Sequence, residues 1–252
     1  NGYTMPEFQI HGDNIVECER TFSLILEALP PINKSLRGPE GNPTCPRFMF
    51  YFGKPQEEYH FTFLPGYGSR RWNQDILDHI RNRGGKLREA TDAIITRVDN
   101  NCETPILALE YCGALPAGNQ AWQRCGRAYS YAHSKVPFVY VAEIGGFELA
   151  ADRSRKAPRL PNPAVPFSYV LLSRTITPAF PAFVRSPGAD QAVLEYYEQV
   201  FCESDLVELI RCCLLSKSLA DVQKSLEKKV LLLVKLLSSL KRRRNTLTPT
   251  EW

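Results

Sequence analysis

Apolar residues near the start of the chain recur with the spacing of an amphipathic helix. They fall at positions 15, 18, 22, 25, 26 and 29, the three-and-four spacing of one helical face. His11-Gly12-Asp13-Asn14 supplies N-cap candidates, and Pro30-Pro31 ends the segment. This pattern predicts a helix from about Ile15 to Leu29. On a helical wheel Glu19 lies at the edge of the apolar face and Glu17 points away, so we expect Glu19 to face the interior.

Short runs of apolar and β-branched residues further along the chain predict strands. Runs at 47–52 and 59–64 flank a polar turn and predict a hairpin, and further strands are expected at 90–98, 105–111, 137–144 and 167–172. Helices are expected at 72–83 and 119–133, and proline-rich connections at 150–165 and 175–188. Strand, helix and strand follow one another from 105 to 144, as in a parallel crossover. The order of elements predicts an α/β fold.

The C-terminal segment has a different pattern, with apolar residues alternately three and four positions apart. These residues are Leu219, Val222, Leu226, Val230, Leu233, Leu237 and Leu240. Such a seam requires a helical partner, which is either the preceding segment at about 190–215 or the same helix of a second subunit. We therefore divide the chain into a core at 1–188 and a helical extension at 189–252 that serves packing or oligomerisation. A structural assembly domain driven by this seam is one possible function.

The composition is that of an ordinary globular protein. Of its 252 residues 44% are hydrophobic, and the formal net charge of +4 permits an anionic partner without requiring one. The eight cysteines form no CxxC pair, which favours reduced thiols and disfavours a zinc site. With no stretch of about 18 apolar residues and no export signal, we expect a cytoplasmic protein without a membrane partner. The start at Asn1 and the end at Trp252 leave room for further domains of a longer chain.

Two of the predicted neighbouring strands each carry a carboxylate, Asp92 and Glu110. Carboxylates on adjacent strands can hold a hard cation such as Mg²⁺, with Mn²⁺ as a substitute, while water and substrate phosphate oxygens complete its coordination. Ion pairing is the other interpretation, in which Asp92 pairs with Arg88 and Glu110 with Arg97 or Arg124. The metal interpretation predicts phosphodiester hydrolysis.

A glutamate on a first helix, an aspartate on one strand, a glutamate on the next and a helix crossing back resemble the PD-(D/E)XK nuclease superfamily, over about residues 15–145. The resemblance implies a restriction-endonuclease-like mixed central sheet flanked by helices. It also implies that Asp92 and Glu110 bind Mg²⁺ and that Glu19 assists. The superfamily has a lysine two residues after the second acid, where this chain has Cys112. Gln123 on the following helix is our candidate for orienting the attacking water.

Basic residues surround the proposed site along the sequence. Arginine forks bind phosphates and read guanine, so these residues are candidates for contacts with double-stranded DNA. They are Arg70, Arg71, Lys86, Arg88, Arg124, Arg127, Arg153, Arg155 and Lys156. Together the observations predict a Mg²⁺-dependent endonuclease of the sequence-specific restriction type, possible as a homodimer. The alternative is a catalytically silent nuclease-like domain that binds DNA or a protein partner, which the cysteine at 112 favours.

Overall fold

The computed structural model describes residues 5–66, 74–85, 91–113, 119–146, 149–155, 164–175 and 179–243. The strands are β1 (Glu7–Gly12), β2 (Arg37–Glu40), β3 (Arg47–Tyr51), β4 (Glu58–Pro65), β5 (Ala93–Asp99), β6 (Cys102–Cys112), β7 (Phe138–Ile144) and β8 (Ala179–Arg185). The helices are α1 (Ile15–Ala28), α2 (Gln74–Asn82), α3 (Asn119–His133), α4 (Ala164–Thr175), α5 (Gln191–Tyr196), α6 (Glu203–Leu214) and α7 (Ala220–Arg243).

The strands form a single mixed sheet in the order β2-β3-β4-β1-β5-β6-β7-β8. Strand β1 is parallel to β4 and antiparallel to β5, and β5 is antiparallel to β6. Strands β6, β7 and β8 are parallel, and α3 crosses from β6 to β7. The prediction of an α/β fold with a mixed central sheet and flanking helices is confirmed.

Helix α1 covers one face of the sheet. The Asn14 side chain caps it by accepting hydrogen bonds from the main-chain N–H groups of Val16 and Glu17. Its Phe22 ring packs among the phenylalanines of β3 and β4, with centroids 4.9 to 6.5 Å away, at Phe48, Phe50, Phe61 and Phe63. Burial of this aromatic cluster holds the helix against the sheet.

Helices α3 and α4 cover the opposite face. The Tyr169 ring of α4 stacks on Phe138 and Tyr140 of β7, with centroids 6.1 and 5.7 Å away. Tyr131 of α3 lies 5.8 Å from Phe138. Neighbouring residues of a strand point to opposite faces, which is why Tyr111 of β6 contacts α1 while Glu110 contacts α3.

Two predictions about elements are wrong. Residues 167–172 lie in helix α4, not in a strand, because a short apolar run does not distinguish a buried strand from a buried helix. Strand β8 lies inside 175–188, where a proline-rich connection was expected. Pro181 is compatible with β8 because this is the last strand of the sheet and needs to donate hydrogen bonds to one neighbour only.

The heptad seam of α7 is buried inside its own chain. Val222, Leu226, Val230, Leu233 and Leu237 are each 6% exposed or less. Helix α7 packs against α4, α6 and β8, and α6 packs on α1. The partner that the seam required is therefore supplied within the chain, and the helical extension continues the core.

Of the seven cysteine side chains in the described part of the chain, five are buried. Within the same residues, no helix combines the length and apolar character needed to cross a membrane.

Candidate functional site

Asp92 and Glu110 lie side by side on neighbouring strands. The antiparallel register pairs Ala93 with Leu109, which places Asp92 next to Glu110. The main-chain N–H of Tyr111 donates to Oδ2 of Asp92 at 2.7 Å. The main-chain N–H of Asp13 donates to the Asp92 carbonyl oxygen at 2.9 Å, so β1, β5 and β6 are joined at this point. The predicted pairing of the two carboxylates is present.

Glu110 is completely buried and is held by two arginines of α3. Its Oε1 accepts from Nε of Arg124 at 2.9 Å and from Nη1 of Arg127 at 2.7 Å. Its Oε2 is buried without a hydrogen-bond partner. Burial raises the pKa of Glu110 and nearby Asp92 raises it further, while the two arginines offset part of the rise. A buried oxygen of this kind is costly unless it gains a partner.

Asp92 is also destabilised as an anion. Burial raises its pKa, and the hydrogen bond from Tyr111 and the positive charge of Arg124 counteract this in part. Two neighbouring carboxyl groups with raised pKa values are the arrangement that a positive charge between them would stabilise most.

A third carboxylate at this edge is Glu17, not Glu19. Glu19 is exposed, so the prediction that it faces the interior is wrong. Glu17 has a buried Oε2 without a hydrogen-bond partner, and its pKa is raised by burial first and by Asp92 second. The predicted apolar face of α1 included Ile15, which is 40% exposed. Thr21, one turn after Glu17, is fully buried, so the buried face of the helix lies on the side of Glu17.

Beside Glu17, α1 brings a cation to the site, and β7 brings a further acid. Nη2 of Arg20 donates to Oε1 of Glu143 in β7 at 2.7 Å, and its guanidinium carbon lies 4.1 Å from the Tyr111 ring centroid. The Tyr111 hydroxyl in turn contacts Oγ1 of Thr21 at 2.8 Å. Sequence reasoning missed Glu17, Arg20 and Glu143. The sequence signal for Glu17 was its position one turn before Thr21. The signal for Glu143 was a charge in an otherwise apolar strand.

Cys112 lies two residues after Glu110 on β6. It lies on the same face as Glu110, is 3% exposed and neighbours Tyr140, whose pKa is raised by burial first and then by this thiol. A buried thiol beside a buried phenol supplies no positive charge. Among the described residues, Arg124 and Arg127 are cations that contact Glu110 on this face.

The predicted DNA-contacting residues divide into three groups. Arg124 and Arg127 contact Glu110, so they do not simply face solvent. Arg153 and Arg155 are exposed in the segment after β7, and Arg155 pairs with Asp190 at 2.7 Å. The predicted contacts outside the described residues are Arg70, Arg71, Lys86, Arg88 and Lys156. Gln123 belongs to α3, but its side chain also lies outside the described part.

Across the described residues, no group of three or more histidine, cysteine, aspartate or glutamate side chains is placed to hold a metal ion. A Mg²⁺ site needs less than that, because the ion retains several waters and takes one or two carboxylates together with substrate oxygens. In the described part of the chain, the unpartnered Oε2 of Glu110 and the neighbouring carboxylate of Asp92 could supply oxygens to such a site.

The chain was compared with protein-family models, with curated proteins and with solved structures, and nothing matches it in any of the three.

Proposed function

We propose that this protein is a Mg²⁺-dependent endonuclease that hydrolyses double-stranded DNA and resembles the PD-(D/E)XK superfamily, with sequence-specific cutting of the restriction type. The observation that carries the proposal is the pairing of Asp92 with Glu110 at one end of β5 and β6. The antiparallel β1-β5-β6 arrangement, followed by a helical crossover to parallel β7, supports the same interpretation. The restriction-endonuclease-like fold is part of this proposal.

Asp92 and Glu110 would hold the ion, with Mn²⁺ as an alternative. When bound, a divalent cation of this kind polarises a phosphodiester and lowers the pKa of water. The residues fit it because Glu110 presents a buried oxygen without a partner and Asp92 lies beside it. The hydrogen bond from Tyr111 fixes one oxygen of Asp92, so the carboxylate is oriented before any ligand arrives.

Glu17 takes the role that was expected of Glu19. The raised pKa of Glu17 lies closer to neutral pH than that of an ordinary glutamate. A carboxylate accepts a proton from water more effectively when its pKa is raised in this way. Gln123 remains our candidate for orienting that water. Because a glutamine cannot accept the proton, we assign proton acceptance to Glu17.

Phosphate binding is assigned to the arginines around this edge. Arg124 and Arg127 contact Glu110 directly. Arg153 and Arg155 lie in the segment that follows β7, and β7 ends at the same edge of the sheet as β6. Guanidinium groups are suited to this work because their planar forks match the oxygens of a phosphate.

Cleavage of mixed-sequence duplex DNA with Mg²⁺ or Mn²⁺ tests the proposal. Wild type is compared with Asp92→Asn and Glu110→Gln, which keep the shape and remove the charge, and with a chelator. Glu103→Gln is the matched control, because this carboxylate also belongs to β6 but contacts His11 and Thr96. We expect fragments from wild type and the control and none from the two site variants. Equal cleavage by all four proteins would contradict the assignment.

A catalytically silent domain that binds DNA or a protein is the second candidate. Two observations favour it: Glu110 is already neutralised by two arginines, and Cys112 replaces the lysine. This candidate predicts salt-sensitive duplex binding that persists in chelator, with no cleavage under any metal.

A further inference from the structure

Both arginines that contact Glu110 use the same oxygen and lie closer to solvent than the carboxylate does. The side chains of Arg124 and Arg127 are 21% and 26% exposed, whereas that of Glu110 is fully buried. Oε1 accepts both hydrogen bonds, and the neighbouring Oε2 is left without one. The guanidinium groups thus cover the buried acid on the side of α3.

The same guanidinium groups are chemically suited to a second anion. Arginine binds carboxylate and phosphate through the same fork of N–H donors. We propose that Arg124 and Arg127 are an exchangeable counterion pair that neutralises Glu110 in the free protein and moves to a backbone phosphate of DNA when a divalent cation takes over Glu110. This inference rests on the proposed function and adds to it a coupling between metal and phosphate.

The charges at the site explain why the exchange is mutual. The positive charges of Arg124 and Arg127 favour the ionised forms of both Glu110 and Asp92. An arginine that left alone would strand a buried carboxylate, which is strongly unfavourable. A cation that arrived alone would face two guanidinium groups at short range. When the cation and the phosphate bind together, the cation neutralises Glu110 and the phosphate neutralises the arginines, so neither unfavourable interaction remains.

Cation and phosphate should therefore bind cooperatively. By reciprocity, whatever factor DNA adds to the cation affinity, the cation adds to the DNA affinity. A site that had no such exchange would bind the two ligands with independent affinities.

A double-mutant cycle on duplex binding without metal isolates the exchange. The proteins are wild type, Glu110→Gln, Arg127→Gln and the double variant, and the readout is fluorescence anisotropy of a short labelled duplex in chelator at fixed salt. We expect Glu110→Gln to tighten binding about tenfold, because the arginines no longer have a carboxylate to hold. In the Arg127→Gln background we expect a gain below about twofold.

Simple relief of repulsion gives a different result. If the lost charge of Glu110 acted on the DNA directly, the gain would be equal in both backgrounds, and that outcome would overturn the inference. Absence of any gain in the wild-type background would overturn it as well.

Calorimetric titration with Ca²⁺ supplies a second readout that does not depend on cleavage. We expect duplex DNA to lower the cation Kd of wild type about tenfold, and Arg127→Gln to lose most of this effect. Equal cation affinity with and without DNA would contradict the exchange. If cleavage and cation binding require Asp92 and Glu110 but the cycle is additive, the inference fails alone. If wild type binds neither ligand, the proposed function fails with it.

Controls separate this coupling from general charge loss and from misfolding. Arg185→Gln removes an arginine that pairs with Glu203 at the β8 end, and we expect it to leave the cycle unchanged. Circular dichroism and thermal melts verify each fold. Should Arg127→Gln not fold, Arg127→Lys keeps the charge and loses the fork, and we expect it to reduce the coupling in the same direction.

Discussion

The main-chain N–H of Tyr111 donates a 2.7 Å hydrogen bond to Oδ2 of Asp92, so the residue that follows Glu110 orients the acid that lies beside Glu110. The Tyr111 side chain points the other way, where its hydroxyl meets Thr21 of α1. Tyr111 therefore lies between Asp92, to which its main chain donates, and Glu17 and Arg20 of α1. A displacement of α1 should therefore move Glu17 and Arg20 and also change the position of Asp92.

A divalent cation should stabilise the folded protein. At a concentration 100 times its Kd, binding to the native state alone adds about 2.7 kcal/mol to the free energy of unfolding. We expect thermal melts to show this stabilisation with Mg²⁺ for wild type and for Glu103→Gln, and to show none for Glu110→Gln. An equal shift in all three proteins would mean that the ion binds elsewhere.

Stability should depend on pH through Asp92. Because its pKa is raised in the folded state, the folded protein binds the proton more tightly than the unfolded chain, and this contribution is lost as pH rises through the folded pKa. Asp92→Asn should therefore gain stability relative to wild type as the pH rises through the folded pKa of Asp92. Urea unfolding at a series of pH values measures it. A constant difference across the series would contradict the prediction, and exposed Glu19→Gln is the control.

The two glutamates of α1 should differ in their effect on cleavage. Glu17→Gln should slow the reaction about 100-fold, as expected for loss of a proton acceptor. It should also change the pH dependence of the rate, since the pKa of Glu17 is raised. Glu19→Gln should behave as wild type because this side chain is exposed. Single-turnover kinetics decide the matter, and loss of activity in Glu19→Gln would reverse the assignment.

Phe22 should dominate the attachment of α1 to the sheet. Its ring is 6% exposed and lies among four phenylalanines, so Phe22→Ala should cost about 3–5 kcal/mol. Val16 in the same helix is 62% exposed, and Val16→Ala should cost little. Chemical denaturation compares the two, and similar losses would mean that α1 packs differently.

The α7 seam should act on folding and not on assembly. Leu233 is fully buried, so Leu233→Ala should cost about 2–5 kcal/mol. Leu231 is 43% exposed, and Leu231→Ala serves as the control with little loss. Denaturation reports the stability, and light scattering reports the mass. A change of mass without loss of stability in Leu233→Ala would restore the intersubunit interpretation.

The sequence pattern determined the parts of this protein that local physics controls. The three-and-four spacing of apolar residues defined α1, α3 and α7, and the apolar runs defined β3 to β7. The order of these elements predicted an α/β fold and placed Asp92 and Glu110 on neighbouring strands, whereas the mixed sheet was expected only from the resemblance to the nuclease superfamily. Those predictions succeeded because period and chain order are properties of the sequence itself.

Tertiary structure alone decided the rest. The run at 167–172 is apolar enough for either state, and packing of Tyr169 on β7 decided in favour of a helix. The choice between Glu17 and Glu19 depended on which side of α1 packs on the sheet. Ile15 is apolar but exposed, so including it in the apolar face pointed to the wrong side.

The environment of Glu110 was predicted only in part, because Arg124 was one of two proposed partners and Arg127 was not among them. Arg124 and Arg127 lie 14 and 17 residues from it along the chain, and only the crossover of α3 over β6 makes them its partners. Helical and strand periods are set by neighbours in sequence, whereas the charge next to a buried carboxylate is set by which elements pack together. For that reason the sequence placed the acids and offered Arg124 as one of two partners of Glu110, but it could not choose between Arg97 and Arg124 or find Arg127.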